Sequence, residues 1–213
     1  MNKKKECMED IKKLFGEQRI VGLAGKQNSG KTNNLMALIR NFRKENKKTP
    51  VYVYGLNEKI IKWLDNLKLV FEISNLEQLS DKTNSLIIID EFQKLRLNDR
   101  RYKDVLNRFI DFIYHNNNWV ILSSPNTREF NSIIGGKIDR WALKSLRISN
   151  LVNGSQLKDV VMNYHGRFKS LSNINVPKNK ILIINDDYEK IIELEYIKEI
   201  DFKKDLNTIF KKC

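Results

Sequence analysis

Gly25-Lys26-Gln27-Asn28-Ser29-Gly30-Lys31-Thr32 is the stretch on which the rest of the chain turns. It fits the pattern G-x-x-x-x-G-K-[ST] at every fixed position, and the residues on either side agree with it. Arg19-Ile20-Val21-Gly22-Leu23-Ala24 has the apolar content of a short buried strand. Asn33-Asn34-Leu35-Met36-Ala37-Leu38-Ile39-Arg40 reads as the start of a helix. Strand, glycine-bearing loop and helix in that order make a concave anion site: the loop's N–H groups converge, and the helix macrodipole adds partial positive charge. In such a loop Lys26, Gln27, Asn28 and Ser29 wrap the phosphates with their backbone. Lys31 reaches the β- and γ-phosphates, and Thr32 offers a hydroxyl to Mg²⁺. A turn that binds nothing is the bland alternative, and the agreement of loop and flanks speaks against it.

Leu86-Ile87-Ile88-Ile89-Asp90-Glu91 runs large apolar residues straight into two carboxylates. A continuous rather than alternating apolar run suits a strand buried on both faces of a parallel sheet. Asp90 at the strand's end is then placed for the Mg²⁺ shell, and Glu91 to orient and deprotonate an attacking water. Alone, such a run is a weak signal; downstream of the glycine loop it becomes the second half of one site. Trp119-Val120-Ile121-Leu122-Ser123-Ser124-Pro125-Asn126 is a further buried strand with a polar tip. Ser124 or Asn126 there could sense a γ-phosphate; an asparagine that merely caps the next helix is an equal reading.

The rest of the chain supplies an alternating α/β order. Helices are expected over 8–16 and 31–45, the second stopped by Pro50, with a strand at Val51–Gly55 and a helix capped by Asn57 that carries Ile60, Ile61 and Leu64. A short strand at Val70–Ile73 and a helical turn at Ser74–Leu79 follow. A long helix over Asn98–Asn116 buries Tyr102, Val105, Leu106, Phe109, Ile110 and Ile113, leaving Arg96, Arg100, Arg101 and Arg108 off that stripe. A helix at 127–134, strands at Trp141–Leu146, Lys158–Tyr164 and Lys180–Ile184, and a helical pair or arm over 187–212 complete the reading. No repeat or low-complexity linker interrupts it, so we expect one domain over 1–213, with a core at about 19–146 and C-terminal strands and tail over 147–213.

Lysine and arginine number 39 against 26 aspartate and glutamate, a formal charge of +13, which favours a polyanionic partner and makes nucleic acid the first to consider. A scattered, merely solvated lysine surface is the bland alternative. The two cysteines, Cys7 and Cys213, fit a reducing compartment and exclude a four-cysteine zinc site within one chain. The basic-then-acidic N-terminus has no apolar core of a signal peptide, and no apolar run approaches membrane-spanning length, so a soluble cytoplasmic protein with no membrane span is expected.

The combination of Gly-Lys-Gln-Asn-Ser-Gly-Lys-Thr, Leu-Ile-Ile-Ile-Asp-Glu and a strand ending Ser-Ser-Pro-Asn resembles the FtsK/HerA superfamily of DNA-pumping ATPases, over about residues 19–146. In size the chain looks most like the genome-packaging ATPases of icosahedral viruses. The resemblance implies a three-layer α/β P-loop NTPase fold of the RecA/ASCE type, with a mostly parallel sheet and helices on both faces. It also implies ATP and Mg²⁺ as cofactors and hydrolysis that drives double-stranded DNA through a ring of identical subunits. A capsid or portal protein becomes a candidate partner, and host cytoplasm or virion the location. An arginine from the adjacent subunit completes the site in that family; Arg100 or Arg101, then Arg128, then Arg140 are the candidates. Many members carry glutamine at the polar strand tip, where Asn126 is the nearest amide here.

Two other classes compete. Asp90-Glu91-Phe92-Gln93 also invites comparison with thymidine kinases, whose usual cysteine-bound zinc lasso Cys7 and Cys213 cannot provide. A nucleotide-dependent DNA partitioning or assembly switch would share the loop and the basic surface.

Overall fold

Four aliphatic residues in succession leave strand β4 (Leu86–Ile89) without a side that water could wet, so it must lie inside a sheet covered on both faces. The computed structural model describes residues 19–92, 100–125, 130, 137–147, 173–174, 176–185 and 188–198. In chain order these form β1 (Ile20–Ala24), α1 (Lys31–Glu45), β2 (Val51–Tyr54), α2 (Glu58–Leu64), β3 (Val70–Glu72), a 3₁₀ turn (Leu76–Leu79), then β4. After β4 come α3 (Arg100–His115), β5 (Trp119–Ser124), β6 (Arg140–Leu143), β7 (Leu146–Arg147), β8 (Asn173–Ile174), β9 (Lys180–Asn185) and β10 (Tyr188–Glu193).

Eight of the strands make one sheet in the order β10-β9-β6-β1-β5-β4-β2-β3, while β7 and β8 pair separately. From β6 to β3 every pairing is parallel; β9 runs antiparallel to β6, and β10 antiparallel to β9. β5 lies between β1 and β4, with Ala24 opposite Ser124 and Ile89 opposite Leu122. The chain therefore leaves β1, β4, β5 and β6 at one edge of the sheet, the carboxyl edge where open α/β sheets bind ligands.

Side chains alternate across the pleat and build a core on each face. Val21, Leu23, Ile88 and Ile121 pack with Leu35, Leu38, Ile39 and Phe42 of α1 and Ile60 and Leu64 of α2. Ile20, Ile87, Ile89, Val120 and Leu122 pack with Phe109, Ile110 and Ile113 of α3 and with Leu76 and Leu79 of the 3₁₀ turn. The result is the expected three-layer arrangement. Asn57 caps α2 as read, its side chain accepting from the Ile60 amide at 3.1 Å.

Two expectations change. Of the helical pair or arm expected over 187–212, Tyr188–Glu193 is strand β10, in which Ile192 is buried in the α1-side core while Ile191 and Glu193 on either side are exposed, the alternation of a sheet; 199–212 lie outside the described residues. The strand expected over Trp141–Leu146 stops at Leu143: the Lys144 amide donates to Ala24 O at 2.8 Å and the chain bends away beneath the glycine loop. The helix at 8–16, the strand at 158–164 and all of the 127–134 helix but Phe130 fall outside the described residues. Among the described residues no helix is long and apolar enough to cross a membrane.

Candidate functional site

The glycine loop hangs between the tips of two strands. Gly25 N donates to Ser124 O at 3.3 Å and Lys26 N to Ser145 O at 2.8 Å, so the loop's start is tied to the ends of β5 and β6. Gly30, immediately before α1, has φ +91°, a left-handed conformation that a side chain would strain, and its carbonyl accepts the Asn34 amide at 3.0 Å to begin the helix. Lys26, Gln27 and Asn28 are exposed at the loop's crest, whereas Ser29 is buried. Lys31 Nζ crosses the loop to Gly25 O at 2.7 Å and Lys26 O at 3.3 Å. Burial holds its ammonium below the ordinary lysine range, and the charges of Asp90 and Glu91 pull the other way.

Thr32 and Asp90 are 58 residues apart in sequence, yet Thr32 Oγ1 lies 3.3 Å from Asp90 Oδ2. Asp90 is buried, its amide donating to Tyr54 O at 2.9 Å. Burial raises its carboxyl above the usual carboxylate range, against the Ser123 hydroxyl, the Glu91 amide and Lys31, which lower it; the nearby Glu91 charge raises it further. The Ser123 hydroxyl, buried near the end of β5, lies close enough to favour the charged carboxylate. A buried carboxyl beside a hydroxyl is an oxygen donor set that suits Mg²⁺, and a cation there would relieve the cost of its charge. Ser29 Oγ, buried within the loop and without a hydrogen-bond partner, leaves polar capacity there. These residues fit a nucleotide with its metal.

Glu91 follows directly, half-buried at φ +49°, and its amide donates to Asp90 Oδ1 at 2.9 Å. A non-glycine residue in the left-handed region costs about 1–2 kcal/mol, and such strain gathers at working sites. Gly55 makes the close approach possible from the other side: at φ +80° it abuts the Asp90 carbonyl so closely that a Cβ would collide with it.

Of the other candidates, Ser124 is buried at the tip of β5 opposite Ala24. Asn126, Arg128 and Arg96 lie outside the described residues; Arg100 and Arg101 open α3, of which the backbone is described there. Arg108 is exposed on α3. Arg140 must be struck from the residues offered to a neighbouring subunit, because it is buried within β6 between β1 and β9. A groove of about 520 Å³ lined by Tyr52, Phe71, Glu72 and Lys82 shares no residue with the loop site.

Sequence reasoning passed over Gly55, Asn33 and Lys144, all of which touch the site from outside the motif. Lys144 carried a legible signal, since a lysine closing the apolar run Trp141-Ala142-Leu143 needs somewhere to put its charge.

No protein-family model matches the sequence, and no curated protein matches it. Solved structures do. The genome packaging NTPase B204 from Sulfolobus turreted icosahedral virus 2, in complex with AMPPCP, superposes with a TM-score of 0.59 at 16% identity, covering 85% of this chain and 100% of that one. The fold is that of the P-loop ATPases. B204, the DNA-packaging ATPase from Sulfolobus turreted icosahedral virus, matches with a TM-score of 0.53 at 12% identity over 84% of this chain and 98% of its own. EssC (ATPases 2 and 3) from Geobacillus thermodenitrificans matches with a TM-score of 0.59 at 11% identity, covering 93% of this chain but 44% of that one. At these identities the likeness establishes the P-loop architecture.

Proposed function

We propose that this chain is a Mg²⁺-dependent ATPase that moves double-stranded DNA, acting as one domain over 1–213 within a ring of identical subunits. The observation that carries the hydrolytic reading is the convergence of the loop, Thr32 and Asp90 at one sheet edge, with Thr32 Oγ1 and Asp90 Oδ2 at 3.3 Å. The loop's backbone N–H groups beyond Gly25 and Lys26, whose own N–H groups are tied to Ser124 and Ser145, cradle the phosphates, and Lys31 exchanges its carbonyl partners for β- and γ-phosphate oxygens. Thr32 and Asp90 hold Mg²⁺, which when bound neutralises charge on the phosphate oxygens. Glu91 orients a water and accepts its proton, in a role open to it because its backbone is fixed to Asp90. Ser124 or Asn126 senses the γ-phosphate, and Arg100 or Arg101, then Arg128, is the arginine given to a neighbouring subunit's nucleotide.

The DNA reading is supported by the formal charge of +13 and by the similar B204 structures, whose names describe DNA or genome packaging. A viral origin, a capsid or portal partner and a cytoplasmic or virion location go with it. The test is phosphate release from ATP with and without double-stranded DNA, beside a mass measurement of the assembled species. DNA-stimulated release from a multimer is expected; phosphorylated nucleoside as product, or a protein that ignores ATP in every condition, overturns the reading.

A further inference from the structure

The back of the phosphate loop rests on the last strands of the sheet. Lys144 is fully buried, and its Nζ donates to the carbonyls of Pro177 at 2.7 Å, Lys178 at 3.0 Å and Lys180. Three acceptors match the three protons of an ammonium, so a buried cation is satisfied by dipoles alone. Its surroundings press on both fixed glycines of the loop. A Cβ on Gly25 would collide with Lys144 Cβ, and one on Gly30 would stand 2.9 Å from Lys178 O, a carbonyl that Lys144 itself holds. Ser145, whose carbonyl holds Lys26 N, exchanges bonds with Val176: Oγ donates to Val176 O at 3.0 Å and accepts Val176 N at 2.9 Å.

The other end of the loop is held as well. Asn33, one residue past Thr32 and buried, pairs its amide with the backbone of Ile197 in both directions, Nδ2 to O at 2.7 Å and N to Oδ1 at 3.1 Å. About two turns further along α1, Arg40 meets Glu195 at 2.7 Å. The segment entering the β9–β10 hairpin thus lies under the loop, and the segment leaving it grips the helix that the loop begins.

We propose that Lys144 and Asn33 are positioning residues that fasten the phosphate loop to the C-terminal hairpin, so that the cradle is formed before nucleotide arrives. The proposal rests on reading residues 25–32 as a nucleotide cradle. A loop held in its binding shape spends no binding energy on ordering, whereas a loosened loop loses affinity for ground state and transition state alike. Release of either anchor therefore raises KM and leaves kcat. A residue that only supports the fold moves the unfolding temperature and not this ratio.

Lys144→Met and Asn33→Ala are each expected to weaken binding of a fluorescent ATP analogue and raise KM about tenfold, with kcat at saturation within about twofold of the parent. Thermal unfolding checks that each variant is folded, and Asn33→Ala carries the test if Lys144→Met is not. Unchanged KM in a folded variant, or a lower kcat at unchanged KM, overturns the proposal. A parent protein that binds the analogue no better than Lys31→Ala defeats the cradle reading itself, a result distinct from a parent that binds and variants that bind equally well.

Discussion

Glu91 combines a left-handed backbone with a position one residue past the buried Asp90. Glu91→Gln is expected to keep ATP binding while phosphate release falls about 10²–10⁴-fold, the usual share of a general base, and Lys31→Ala to lose both binding and turnover. Turnover unchanged in the glutamine variant would remove Glu91 from the mechanism. Lys144 predicts a dependence on pH. Burial and the charge of Lys31 hold it down to about 7 in the free protein. Phosphate charge entering the loop favours the ammonium and raises that value, so binding takes up a proton above neutrality. ATP affinity is therefore full below pH about 7 and falls as pH rises beyond it. Lys31, on α1 and itself lowered by burial, contributes to the same slope, whereas the Lys180 ammonium on the segment beneath is paired with Glu193 at 3.5 Å. The difference between parent and Lys144→Met in a titration of analogue binding isolates the Lys144 share; identical profiles would show that its charge is not felt by the phosphates.

Among the elements, β4 binds the two cores together. Ile88 faces α1 while Ile87 and Ile89 face α3, and all three are fully buried. Ile88→Ala should cost about 2–5 kcal/mol of stability, read from the shift of a urea unfolding midpoint, because α1 and the rigid sheet cannot close over the space. A shift below 1 kcal/mol, on the order of a surface substitution, would mean the layers pack more loosely than described. β1, α1, β4 and α3 were legible because each has a long apolar pattern or a motif at its end. β10 was not: Tyr-Glu-Lys-Ile-Ile-Glu places its apolar pair side by side, a pattern that strand and helix both tolerate, and its pairing with β9 decides the matter.

At the scale of the whole molecule, the formal charge of +13 makes salt the sharpest probe of the DNA reading. Affinity for double-stranded DNA is expected to fall about a thousandfold between roughly 50 and 200 mM salt, the response of about six phosphate contacts. A flat response in a binding titration would leave the lysines as solvated surface. The chemistry of the cradle was written in the chain itself, since the conformations open to Gly30, the reach of Lys31 and the apolar run before Asp90 are local properties that need no knowledge of what lies nearby. What abuts the cradle was decided by tertiary structure alone. Asn33 meets Ile197 and Lys144 meets Pro177, Lys178 and Lys180 across separations of 33 to 164 residues, and such pairings follow from the order in which strands close a sheet, which no local pattern encodes.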